Sequence, residues 1–243
     1  MKKIVYILFL MTLLSCSNKA KNENLNMGNM YFDQGTQHLM NGSYSEALKY
    51  LLQSQSYIPE DDEMLNHLGM AYFFNGDSDH AIETISKAIK VNPKNSNAKN
   101  NLATVFMNLG KRDQAKLIYN DVTKDLTFDN LHRTYYNLGL IALKENDPVS
   151  ALRLFNSSLL KDPSFCLSHF EIAKLIADSK KSLEHYSQAA LGECLRNFEV
   201  QYEFAKTLIQ NKRYDEAKIR INDMRIKFPT EDLSVLEGII RND

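Results

Sequence analysis

The chain holds 243 residues, 44% of them hydrophobic and 24% charged, with 29 basic side chains against 30 acidic ones. A net charge of −1 gives no electrostatic footprint for nucleic acid. Nine glycines, five prolines and no tryptophan argue against an all-β chain built on many tight turns, which leaves a helix-forming composition on a length that suits one or two domains.

The first predicted element is an export signal. Lys2 and Lys3 form a basic start, and Ile4 to Leu14 is an apolar run of 11 residues. That is about half of the ~20 residues a membrane-spanning helix needs, so a cleaved signal peptide is expected over residues 1–15. The sequence Leu13-Leu14-Ser15-Cys16 resembles the bacterial lipobox, which places an aliphatic residue and a small residue ahead of an obligatory cysteine. Leu14 is a mild departure from the usual pattern. The resemblance implies cleavage before Cys16, diacylation of its sulfur and acylation of the new amino group. Each buried CH₂ adds about 0.8 kcal/mol, so two or more acyl chains make a stable anchor. Ser17, where an aspartate would signal retention, points by the usual sorting pattern to the periplasmic face of the outer membrane. Removing residues 1–15 takes away two lysines and leaves 27 basic against 30 acidic residues, a net of −3. The polar stretch that follows is expected to be a flexible tether, so residues 16–27 read as acylated cysteine plus tether.

After the tether the sequence repeats. Ala47, Ala81 and Ala115 are spaced by 34 residues, Ala151 follows 36 later, and Ala217 lies 66 beyond it. Pro59, Pro93, Pro163 and Pro229 keep the same period, with Thr127 in the proline slot of the third unit. Each unit reads as two amphipathic helices joined by a turn. This resembles the tetratricopeptide repeat. Unit two carries Leu65, Leu68, Gly69, Tyr72, Ala81, Ile85, Ala88 and Pro93; unit four carries Tyr135, Leu138, Gly139, Ala142, Ala151, Phe155 and Pro163. The small residues let two helix backbones approach, and a larger side chain there would overpack the contact at about 1–3 kcal/mol.

The expected fold class is therefore all-α, a right-handed superhelical solenoid of tetratricopeptide units at 28–61, 62–95, 96–129, 132–165, 166–197 and 198–231 within a domain of residues 28–243. Residues 233–240 are expected to form a short capping helix, because a solenoid must cover its last apolar face. Unit five is irregular, with a turn that reads about three residues short.

No catalytic constellation is visible. The six histidines are scattered, with no HExxH, no cysteine–histidine metal spacing, no GxSxG, no P-loop and no GxGxxG. The expectation is a non-enzyme with no cofactor, no metal and no small-molecule substrate. The acidic run Glu60-Asp61-Asp62-Glu63 sits where a helix begins, and there negative charge complements the helix dipole. Cys166 and Cys194 fall at helix ends that a hairpin brings together, which leaves open a disulfide or two partly buried free thiols.

In a tetratricopeptide solenoid the first helix of each unit lines the concave groove. Reading the helical stripe that would face it gives Phe32, Leu39 and Met40 from unit one, then Asn66, Met70, Phe73 and Phe74 from unit two. Unit three adds Asn100, Thr104 and Met107, and the later units supply Tyr136, Leu140, Phe170, Tyr202, Lys206 and Ile209. A surface rich in Phe and Met, with asparagines beside it, suits a peptide segment; the other reading is that the tether or a neighbouring helix covers the aromatics of unit one. The carboxylate clamp of some chaperone-binding repeats is not matched, since its slots hold Phe32, Thr36, His67, Asn97 and Asn101.

Taken with the lipobox, six repeats, a long third-to-fourth connection and a degenerate fifth unit resemble the type IV pilus biogenesis/stability lipoproteins, the secretin pilotins. That resemblance implies a protein that carries secretin subunits, or holds them at the outer membrane, and promotes their assembly into a multimeric pore. Two other readings stay open here: the tetratricopeptide lipoprotein of β-barrel assembly, and a scaffold for cell-wall enzymes.

Overall fold

The computed structural model describes residues 22–241, and every described element is helical. The expected signal peptide, Cys16 and the first part of the tether lie outside the described residues. The chain divides between Asp125 and Leu126 into two compact bodies, each with its own core, where the sequence reading treated residues 28–243 as one domain.

The first body contains α1 (residues 22–40), α2 (Tyr44–Tyr57), α3 (Asp62–Phe74), α4 (Ser78–Val91), α5 (Ser96–Asn108) and α6 (Arg112–Val122). The start of α1 corrects one expectation: residues 22–27, assigned to the tether, are helical. None of these residues is Pro, Gly or β-branched, so the helix nucleated by the packed part of α1 propagates into them at little cost.

Each hairpin closes through a residue in the left-handed region: Gly42 at φ +76°, Gly76 at +86° and Gly110 at +72°. Only glycine enters that region without a steric penalty, which is why the same residue recurs at this point of three units. Short polar side chains start the helices. Asp61 accepts from the Met64 amide at 2.7 Å, Asp77 from His80 at 3.1 Å and Asn95 from Ala98 at 2.8 Å. The acidic run thus has structural employment, and Asp62 reaches the next turn, accepting from Asn92 at 2.9 Å and Asn95 at 2.6 Å.

The core of this body is built from Ala47, Leu51, Leu65, Leu68, Ile85 and Ala88 together with their neighbours. A Cβ on Gly35 would lie 2.6 Å from Leu51, so that helix crossing exists because the side chain is missing.

The second body contains α7 (Leu131–Lys144), α8 (Pro148–Lys161), α9 (Cys166–Leu175), α10 (Ser179–Ala189), a 3₁₀ helix (Gly192–Arg196), α11 (Phe198–Gln210), α12 (Tyr214–Lys227) and α13 (Ser234–Arg241). Asn146 and Lys212, both at φ +59°, take the left-handed position that glycine holds in the first body. Asp147 and Asp178 cap α8 and α10 by accepting from backbone amides at 3.0 and 2.9 Å. The Ser150 side chain, then its amide, at Asp147, and the Lys181 and Lys180 amides at Asp178, hold both carboxyls below the usual carboxylate range. Leu233 and Leu236 bury α13 against α11 and α12, and Arg225 donates to Glu237 at 2.7 Å, so the expected capping helix is present.

Unit five differs from its sequence reading in where residues are lost. The α9–α10 connection is the three residues Ile176–Asp178, as long as Asn75–Asp77 in unit two, whereas α9 has 10 residues against 13 in α3. The deficit is in the helix and not in the turn. Ile176 leaves the helical region at φ −87° and ψ 123°, and Asp178 caps the next helix before α9 can add a turn.

Gly139 on α7 shows how tightly the hairpins depend on small residues. An added Cβ there would lie 2.5 Å from the Phe155 ring, and Phe155 is fully buried. Gly139→Leu is expected to cost about 1–3 kcal/mol through overpacking, read as a lowered melting temperature by circular dichroism. An unchanged melt would show that this contact is not tight.

Candidate protein-interaction surface

In the first body the side chains assigned to the groove differ in how far the body's own packing covers them. Phe32, Leu39, Met70 and Phe73 are half-buried and pack against the body's own core. Phe32 meets His67 edge-on at 5.1 Å, which fixes its ring. Met40 and Phe74 are open, 78% and 44% exposed. Phe74 stacks on Tyr44 at 4.7 Å and touches Phe73 at 5.4 Å. An aromatic shelf of Tyr44, Phe73 and Phe74 therefore lies at the turn ends of α2 and α3, and Met40 closes α1 four residues before Tyr44.

Asn66 is a correction. It is 4% exposed, and its Oδ1 accepts from Asn101 Nδ2 at 2.9 Å, so its amide joins α3 to α5 and offers nothing to a ligand. Position five of the repeat is a helix-contact position here because a polar pair replaces apolar packing between neighbouring first helices. Thr104 is similarly engaged: its hydroxyl lies 2.9 Å from both the Asn100 carbonyl and the Tyr119 hydroxyl. Asn100 and Met107 are partly exposed on α5.

In the second body, Tyr136 and Leu140 pack against the core around Phe155. Burial, reinforced by Glu171 and Glu199, pushes the Tyr136 phenol up to about 12, so it stays protonated and serves as packing with a donor. Phe170 and Ile209 are buried, and this removes them from any open face. Tyr202 and Lys206 are half-buried, and Lys206 donates to Glu203 at 3.1 Å.

Cys166 and Cys194 form a disulfide with Cα atoms 6.0 Å apart, which settles the pairing that the sequence left open. It ties the start of α9 to the 3₁₀ helix. Beside it is a cavity of about 420 Å³ lined by His132, Arg133, Asp162, Phe165 and Glu193, among others. Arg133 lies over the Phe165 ring at 5.4 Å and donates to Glu193 at 3.3 Å. His132 Nε2 is 4.0 Å from Asp162 Oδ2, beyond hydrogen-bond distance. Among the described residues no three His, Cys, Asp or Glu side chains converge as a metal site would need, and no helix is long and apolar enough to cross a membrane.

Two features escaped sequence reading. Tyr44 supports Phe74, and its only signal is an aromatic residue at a helix start where polar residues are usual. His169 and His185 meet across the α9–α10 hairpin, and nothing in their spacing of 16 residues announces it.

Comparison with known proteins agrees with this architecture. The family described as Tetratricopeptide repeat matches residues 62–95. The photosystem I assembly protein Ycf3 of Prochlorococcus marinus is 30% identical over 103 residues, 41% of this chain and 58% of that protein. The chain spans about half the length of the curated Ycf3 relatives it matches, 58% and 49% for two strains.

Among solved structures, Pseudomonas aeruginosa PilF superposes with a TM-score of 0.74 at 18% identity, covering 87% of this chain and 95% of that one. PilW, described as a widely conserved type IV pilus biogenesis factor, superposes with a TM-score of 0.69 at 14% identity, covering 88% of this chain and 98% of that one. At such identities these likenesses concern the fold. Residues 62–95 are a tetratricopeptide repeat, and the chain is an all-α protein of tetratricopeptide-repeat fold, the architecture of a protein-interaction scaffold.

Proposed function

We propose that this chain is a non-enzymatic outer-membrane lipoprotein of the pilotin kind, which binds a secretin subunit and promotes its localisation and multimerisation for type IV pilus biogenesis. The observation that carries this reading is the open apolar edge of the first body, Met40 and the Tyr44–Phe74 stack, in a fold similar to two pilus proteins. An apolar shelf with a flexible methionine can accept a partner segment by burying its side chains, at about 25 cal/mol per Å² of apolar area removed from water.

Cys16, acylated, supplies the second half of the mechanism. It holds the shelf within one chain length of the inner surface of the outer membrane, so a captured secretin subunit is delivered where its pore must form. Tethering raises the effective concentration of bound subunits at that surface without any new contact. The chain then acts by positioning, and needs neither a cofactor nor a reacting group.

Cys16→Ala tests the anchor. The variant is expected to fold with unchanged helicity and to move from the outer-membrane fraction to the soluble periplasmic fraction. Unaltered fractionation would contradict the anchor.

A further inference from the structure

The second body holds a histidine pair that the proposed function does not use. His169 on α9 and His185 on α10 place their Nδ1 atoms 2.9 Å apart, and His169 Nε2 lies 3.0 Å from the Pro163 carbonyl oxygen. A carbonyl oxygen can only accept, so His169 Nε2 carries the proton and donates to Pro163. Neutral His169 then has a bare Nδ1, which must be the acceptor of the second bond. His185 therefore carries its proton on Nδ1 and donates it to His169. The geometry admits one arrangement of two protons in which both rings are neutral.

We propose that His169 and His185 form a proton-released clasp, a shared hydrogen bond that closes the α9–α10 hairpin at neutral pH and opens in mildly acidic medium. The first proton, on His185 Nε2, keeps the bond to His169 Nδ1 but puts a cation in a partly buried site. A second proton, on His169 Nδ1, sets two N–H groups face to face at 2.9 Å and breaks the bond.

Burial pushes the His185 imidazole below its ordinary 6.5, and a charge on His169 pushes it the same way, with Glu184 opposing. A histidine held below its ordinary value takes up its proton more readily in the unfolded chain. Its contribution is therefore whole above about 6.5 and is lost as the pH falls below that value.

Several charged groups on the packed elements pair with one another. Glu171 pairs with Lys174 on α9, Glu203 with Lys206 on α11, and Glu193 of the 3₁₀ helix with Arg133. Asp162, in the turn after α8, accepts from Ser164 and is held below the usual carboxylate range by those bonds. On α10 itself Lys181 lies one turn before His185 and Lys180 next to it, both adding positive charge near that ring, while their backbone amides donate to Asp178. The lowered carboxylates lose their contribution only below about 3.8, well under the histidine window.

His169 Nε2 still carries the proton it donates to the Pro163 carbonyl in each of these protonation states, so the turn whose residues Asp162, Ser164 and Phe165 line the cavity beside the disulfide stays tied to α9.

Nitrogen NMR on the full chain labelled with ¹⁵N-histidine tests the arrangement. At pH 7.5 His185 is expected as the Nδ1–H tautomer and His169 as the Nε2–H tautomer. Hydrogen exchange, corrected for intrinsic rates, should then show amides of residues 166–189 losing protection at pH 5.5, while His185→Phe shows no such pH dependence. Finding His185 as the Nε2–H tautomer at pH 7.5 would overturn the clasp, and so would an equal loss of protection in His185→Phe. If that variant does not fold, the tautomers and the exchange of the natural chain decide alone.

Discussion

Replacing Cys166 and Cys194 together by alanine should lower the stability of the second body by about 3–4 kcal/mol. The bridge closes residues separated by 28 positions, and in the chain-entropy treatment a loop of that size carries this much of the unfolded state's freedom. The effect should be large because unit five is also the least regular: α9 is cut to 10 residues and the hairpin ends in a 3₁₀ helix. Chemical denaturation followed by circular dichroism reads the loss. Reductant should weaken the natural chain by a similar amount and leave the double variant unaffected. Equal stability of the two proteins would mean that the hairpin holds without its covalent tie.

The second large effect concerns capture. Phe74→Asp and Met40→Asp each place a charge on an open apolar edge, so they should reduce binding of a secretin segment about tenfold or more while helicity is retained. Phe73→Asp is a different experiment. Phe73 is half-buried against the core of the first body, and a carboxylate there has to be desolvated, so that variant should lose stability as well as binding. Titration of the purified variants with secretin fragments distinguishes the two outcomes. Full binding by both Phe74→Asp and Met40→Asp would remove the shelf from the account.

Much of the fold was legible in the sequence because its cause is a one-residue constraint repeated at a fixed spacing. Gly69 and Gly139 exist where a Cβ would collide with Ile85 and Phe155, and Gly42, Gly76 and Gly110 exist where the backbone is left-handed. Constraints of that kind leave the same letter at the same place. Asn146 and Lys212 show the limit, since the backbone conformation persists where the letter does not.

The site was legible less well, for a related reason. A helical stripe gives direction, but exposure also depends on what the neighbouring unit contributes. Asn66 faces α5 and is consumed by Asn101, whereas Phe74 owes its position to Tyr44, a residue on another helix. Residues 22–27 were misread because polarity was taken as a sign of irregular backbone, although Asn, Glu, Leu and Met continue a helix once a packed turn has started it. The His169–His185 contact depends on the truncation of α9, which no local residue pattern records.

The central claim is that this chain promotes secretin multimers at the outer membrane. It is tested most directly by measuring the secretin multimer-to-monomer ratio in outer membranes of cells with and without the gene, on gels that preserve the assembled pore. The account predicts that multimers are depleted while monomer persists, and that the natural chain restores them but Phe74→Asp does so poorly. Multimers at undiminished levels in cells lacking the gene would contradict it.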